Sequence, residues 1–220
     1  MPSATLCVSV EGHCATGARP TEPECRMSLS PSEADWPGEP PTYATYLHLD
    51  HLLSLQHPLA ADVDPRTRAA EHFFIIVHQA SELWLQQVLL DLDAATAPTA
   101  STPPGARHEH LARAEACLHL MTAQVEALDH LPPDAFRAFR AALGTASGAQ
   151  SQQFEHLRAR LAPAAEHADL LRGVAAAFAR WQRSHLAVVA RLLGDDGGTG
   201  GTPGVTYLQR RVLASDRVHS

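Results

Sequence analysis

The chain has 220 residues, 45% hydrophobic and 19% charged, enough to bury one domain-sized core. A formal net charge of −7 leaves no basic surplus for counterion release, which argues against a nucleic-acid partner, and all 17 basic residues are Arg, which excludes Schiff-base and P-loop lysine chemistry. No apolar run approaches the roughly 18 residues of a membrane span, and the start MPSATLCVSVEGHC lacks a signal peptide's basic and apolar regions, so a cytoplasmic protein is expected. Residues 1–38 read as a flexible N-terminal arm ending in Pro37, Pro40 and Pro41, and residues 39–220 as one helical domain. The arm holds Cys7, Cys14 and Cys25; with no CxxC pair it reads as a reduced tail, a metal site there being the alternative. Tyr43 to Gln56 predicts a short helix. Thr67 to about Ala95 predicts a long one, with Phe74, Ile75, Val77, Leu85, Val88, Leu89 and Leu92 as its apolar residues. Residues 96–105 form a Pro/Thr/Ser loop, and Ala106 to about Leu131 the next helix, carrying Leu118, Met121, Val125 and Leu128 at 3-to-4 spacing. Pro132-Pro133-Asp134 starts a short helix that Gly144 stops. Ser147 to Leu161 follows. Pro163 opens a long helix to about Leu193, stopped by Gly194, then comes a GGTGG loop, and Val205 to Ala214 predicts a last helix. With no alternating strand pattern and no internal repeat, the fold class is all-α, a helical bundle.

Fourteen histidines are present, and two stand out by context. His78 lies in FFIIVHQASELWLQQ, and His185 in FARWQRSHLAVVARLLG, each on an apolar helix face. A histidine in such a stripe must have its ring nitrogens satisfied. Taken singly, each reads as a hydrogen-bonded core histidine. Two of them on separate helices of one bundle also fit a haem pocket, where a neutral imidazole reaches iron and apolar neighbours exclude water. Other constellations carry less. His78 and Glu82 share an i,i+4 spacing, but HExxH is missing; His108-Glu109-His110 reads as a solvated helix start, and Glu126, Asp129 and His130 as surface charge. GxSxG, GxGxxG and CxxCH are absent. Arg140 is either a plain helix arginine or a bidentate clamp for a carboxylate. The glycine loop with Thr199 is either a linker or a cover over a small polar group.

Four segments, in order from residue 42 to residue 209, resemble the tryptophan 2,3-dioxygenase superfamily. TYATYLHLDHLLSLQ is similar to the family's substrate-covering helix, and EHFFIIVHQASELWLQQ to its distal-pocket helix. FRAALGTASGAQSQQF is similar to its carboxylate-binding segment, and HLAVVARLLGDDGGTGGTPGVTYLQ to its proximal haem helix and glycine loop. The resemblance implies a bundle enclosing one non-covalent haem b, with His185 as axial ligand of the iron. It implies that His78 faces the substrate ring, Phe74 packs on that ring, Arg140 pairs with the substrate carboxylate and Thr199 contacts the amino-acid head group. Tyr43, Tyr46 and Leu47 line the pocket from a neighbouring subunit of a dimer or tetramer, with Phe136 and Leu143 also on the substrate side. Trp181, Ser147 and Gly148 lie against the cofactor. The sequence departs from the family pattern at Ala69-Ala70, where His-Asp usually precedes Glu71, at Phe136 in place of a tyrosine and at Ala149 in place of an aromatic. Gln150 is followed by His185 after only 35 residues, where full-length members carry several more helices. That compact form resembles branches acting in secondary metabolism. The implied function is haem-dependent insertion of oxygen from O2 into the indole ring of L-tryptophan or a substituted tryptophan. A tyrosine hydroxylase using O2 or peroxide, and a non-enzymatic haem-binding protein, are the alternatives.

Overall fold

The computed structural model describes residues 40–60, 64–97, 105–162, 167–194, 205–206 and 208–210. The chain divides into two compact units, Met1–Leu49 and Asp50–Ser220. Its helices are α1 (Tyr43–Tyr46), α2 (Leu49–Leu52), α3 (Pro65–Thr96), α4 (Ala106–Glu126), α5 (Pro133–Arg140), α6 (Gln152–Arg160) and α7 (Arg172–Leu193). Short 3-10 turns follow α4 and α5 and precede α6. Among the described residues there is no strand, as an all-α fold requires. No described helix is long and apolar enough to cross a membrane.

In the first unit, the expected single helix from Tyr43 to Gln56 is broken into α1 and α2. Thr42 caps α1 through a reciprocal side-chain pair with Thr45. His48 then adopts a left-handed backbone, φ 51°, which an α-helix cannot pass through. Tyr43 and Tyr46 are 76% and 72% exposed.

In the second unit, α3 starts where its caps dictate. The Asp64 carboxylate accepts from the backbone N–H groups of Arg66 and Thr67, and Pro65 occupies the first helical position. Leu85, Val88 and Leu92 of α3 are fully buried, as are Leu118 and Met121 of α4 and nearly so Val174 and Val188 of α7. Each such side chain contributes about 1.5–3 kcal/mol when removed from water. α4 is the central helix, packing along both α3 and α7, whereas α3 and α7 hardly meet. α5 bridges α3 and α7, and α6 packs on α3. α3 and α7 are thus held apart on α4 with few direct contacts, and the candidate cleft is the gap between them.

Three boundaries differ from expectation. The helix from Ala106 gives way to a 3-10 turn at Ala127–His130. The 147–161 segment is a 3-10 turn, capped by Ser147, and then α6, capped by Ser151. α7 begins at Arg172, not Pro163, and residues 167–171 form turns. The buried stripe of α7 opens with Leu171 and Val174, and residues 163–166, where the expected helix began, lie outside the described residues. Gly144 and Gly194 stop their helices as predicted, with φ of 56° and 57°, a backbone that favours glycine. The arm 1–38 and the GGTGG loop with Thr199 lie outside the described residues, as does half of the predicted last helix, whose described residues 205–206 and 208–210 are helical.

Candidate active site

The α3 wall of the cleft is built on Phe74 and His78, one turn apart, with ring centroids 4.0 Å apart. Phe136 and Phe139 of α5, both buried in the core, back Phe74 from behind, 5.8 and 5.5 Å from it and edge-on to one another. The result is an apolar aromatic surface with one polar ring in it. His78 Nδ1 lies 2.7 Å from the Phe74 carbonyl oxygen. A carbonyl only accepts, so in the neutral ring Nδ1 carries the hydrogen and Nε2 keeps its lone pair. Burial holds the His78 pKa below its ordinary value, against the opposing effects of the Phe74 carbonyl and the Glu82 charge. Solvent nevertheless reaches the ring. A side chain crowded enough to be desolvated yet open on one side is what the wall of a cleft presents.

The α7 wall carries His185. Its ring stacks on Trp181, one turn earlier, at 5.1 Å with the planes 5° apart. Trp181 stacks in turn on Phe178 and on Phe154 of α6, 4.6 Å away. His185 is half-buried, and among the described residues its ring nitrogens have no hydrogen-bond partner. Burial and the charge His78 would carry push its pKa down to about 4, so it is a neutral imidazole near pH 7. The two histidines are therefore close enough to sense one another across the cleft. The Trp181 indole Nε1 is buried without a hydrogen-bond partner. A neutral imidazole with unused nitrogens and a buried donor with no acceptor, both in an aromatic setting, are the features a haem with an axial histidine and acidic side groups would complete. The residues present fit that group.

The other candidates fall in different places. Arg140 is half-buried in the last turn of α5, one turn beyond the buried Phe136, and Leu143 follows it, half-buried at the edge of the core. Ser147 uses its hydroxyl to cap the 3-10 turn that contains Gly148, so its expected cofactor contact would have to coexist with that cap. Tyr43, Tyr46 and Leu47 belong to the first unit and are exposed there. Thr199 lies outside the described residues. Among the described residues no cluster of His, Cys, Asp and Glu forms a metal site, and Cys117 is a buried free thiol. His110, read from sequence as part of a solvated helix start, instead pairs with the buried Asp91 at 2.7 Å. Their separation of nineteen residues across two helices hid that contact.

Glu82, weighed from sequence only as an i,i+4 partner of His78, instead pairs with Gln153, which the sequence did not single out. The Gln153 side-chain amide donates to the Glu82 backbone carbonyl at 2.9 Å and to its carboxylate at 2.7 Å, joining α6 to α3 one turn beyond His78. Two polar residues 71 positions apart leave no periodic signal.

The family model for tryptophan 2,3-dioxygenase matches residues 32–168, more than half of the chain. A tryptophan 2,3-dioxygenase from Herpetosiphon aurantiacus is 37% identical over 119 residues, 53% of this chain and 43% of that protein. Those of Bordetella pertussis (36% over 145 residues, 62% and 49%) and Caulobacter vibrioides (39% over 116 residues, 53% and 42%) are similarly related. The chain spans about half the length of the curated relatives it matches. The family match includes Phe74, His78 and Arg140 and ends before α7, so the reading of His185 stands on the geometry of the cleft. The chain belongs to the tryptophan 2,3-dioxygenase family.

Proposed function

We propose, from that family membership and from the paired histidines of α3 and α7, that the protein is a haem-dependent oxygenase of L-tryptophan or a substituted tryptophan. The observation that carries the reading is His185, held flat against Trp181 with no hydrogen-bond partner for its ring nitrogens among the described residues. His185 would hold the iron from one side, and the Trp181 N–H would donate to an acidic side group of the haem. When bound, the haem supplies an open coordination position and the electrons for dioxygen chemistry.

The chain's own residues then handle the substrate. The His78 Nε2 lone pair accepts a hydrogen bond from an indole N–H, because Nδ1 is committed to the Phe74 carbonyl. Phe74, backed by Phe136 and Phe139, offers the ring an apolar wall and excludes water from it. Arg140, one turn beyond Phe136, pairs with the amino-acid carboxylate. Thr199 contacts the same end of the substrate. Anchoring both ends fixes the ring against the oxidant, and that positioning accounts for much of the rate. Phe136 brings no hydroxyl to the wall, so an indole finds one acceptor there and a phenol no second partner. Tyr43, Tyr46 and Leu47 would cover the pocket of a neighbouring copy in a cytoplasmic homo-oligomer.

The test is to load the protein with haem, incubate the reduced form with tryptophan or tyrosine in air and the ferric form with tyrosine and peroxide, and weigh the products. A gain of oxygen on tryptophan is expected. Gain on tyrosine alone would establish the hydroxylase, and no product from either a non-enzymatic haem protein.

A further inference from the structure

α6 touches both walls of the cleft with consecutive residues. Gln153 directs its single amide nitrogen at Glu82, donating to the carbonyl and the carboxylate of one residue, and Glu82 lies one turn beyond His78 on α3. The next residue, Phe154, is buried and stacked at 4.6 Å and 23° on Trp181, which stacks on His185. α3 and α7 hardly touch directly: α4 packs along both, and at this level α6 adds a second link, to α3 through Gln153 and to α7 through Phe154. The far end of α6 is tied to α3 as well, through Arg160 to Asp93 and to the Thr96 hydroxyl at 2.8 Å. That tie is eleven residues beyond Glu82 along α3, about 16 Å away, and is remote from both histidines.

We infer that the Glu82–Gln153 pair is a positioning device for the cleft: with Phe154 it sets the separation of the His78 wall from the His185 wall. The inference rests on the haem reading and adds two residues that touch neither substrate nor cofactor. Glu82 fixes where α6 sits under His78, and Phe154 transmits that placement to Trp181 and hence to the His185 ring. A cleft that must hold a flat cofactor and an aromatic ring in series tolerates little variation in this spacing, because misplacement of a reacting ring by about 1 Å costs on the order of a hundredfold in rate.

The experiment compares haem-loaded wild type with Gln153→Ala, the near-isosteric Gln153→Met, Glu82→Gln, Arg160→Ala and His78→Ala. It reads haem content, the infrared stretch of carbon monoxide on the reduced protein and the dissociation constant for tryptophan. Both Gln153 variants should keep wild-type haem content, shift the stretch in the same direction as His78→Ala and weaken tryptophan about tenfold. Glu82→Gln retains a side-chain acceptor for the amide and should stay within about twofold. Arg160→Ala should lower the melting temperature and leave the stretch unmoved. If Gln153→Met and Arg160→Ala behave alike, or neither moves the stretch, the pair is only a packing contact and the inference is overturned. His185→Ala run alongside separates the two levels: full haem content in that variant with an unchanged spectrum sinks the assignment of His185 as iron ligand, and no haem uptake by the wild type sinks the haem reading itself. A haem-free His185→Ala with an unmoved stretch in Gln153→Met sinks only the role of the pair.

Discussion

Two regions of the bundle treat buried polar groups in opposite ways. Between α3 and α4, the Asp91 carboxylate is 1% exposed and completely engaged: Arg113 and His110 from α4 and Gln87 from its own helix all hydrogen-bond to it. Between α3 and α7, the half-buried His185 ring stacks on Trp181, whose buried N–H has no hydrogen-bond partner among the described residues. A buried group that the fold needs is paired by the fold, since an unpaired one costs about 1–3 kcal/mol. A group left unpaired at that cost is kept for something that is not protein. The first region holds helices together; the second leaves a donor open, as the proposed haem site requires.

The largest effect that would break this contrast is in the paired region. Asp91→Ala takes the acceptor from Gln87, His110 and the half-exposed Arg113, and should cost about 2–3 kcal/mol in urea unfolding, since several hydrogen bonds to a charged group are lost while the Arg113 cation left behind stays hydrated. A loss under about 1 kcal/mol would mean the clamp is ornamental.

The unpaired region should respond the other way round. His185→Ala should leave the unfolding free energy of the haem-free protein unchanged within about 0.5 kcal/mol, as its ring holds nothing by hydrogen bonds. Haem retention should fall by at least about a hundredfold, measured by transfer to apomyoglobin. Loss of apoprotein stability with intact haem retention would reverse the assignment of the two regions. Arg140→Leu, beside the aromatic wall, should weaken tryptophan binding about a hundredfold by titration of the reduced protein, with haem content unchanged.

Trp181→Phe gives a finer test. It keeps a stacking ring and removes the orphan N–H, so the haem-free protein should be as stable or slightly more stable, whereas haem should bind about tenfold more weakly. Weaker folding with unaltered haem binding would show that the indole N–H serves the protein.

Acid separates the regions by the smallest margin. Burial pushes the Asp91 carboxyl up, and the hydrogen bonds from Arg113, Gln87 and His110 with the Arg113 charge more than offset it, leaving its pKa below the ordinary carboxylate range. A carboxyl depressed in the folded state adds stability that is complete above its unfolded value, about 4, and is lost as pH falls through the folded value. Asp91→Asn should therefore flatten the stability profile below about pH 4 while the slope above pH 5 is kept. An identical acid limb in that variant would place the acid-labile group elsewhere.

The aromatic stripe around His78, the apolar face of His185 and the glycine stops at Gly144 and Gly194 were legible in one dimension, because a helix writes its buried face as a 3.6-residue period and its ends as proline and glycine. The all-α class and the choice of these two histidines follow from that local code. The break at His48 and the late start of α7 at Arg172 were not legible, since each depends on which apolar surface is available to pack rather than on propensity. Nor were the partners: Asp91 with His110 and Arg113, Glu82 with Gln153, Phe154 with Trp181 lie 19 to 71 residues apart. Periodicity states which face of each helix is buried. Only the packing of α3 and α7 on α4, and of α6 on α3, decides what that face meets, because a side chain's partner is set by where helices cross, and crossing geometry is a property of the assembled bundle.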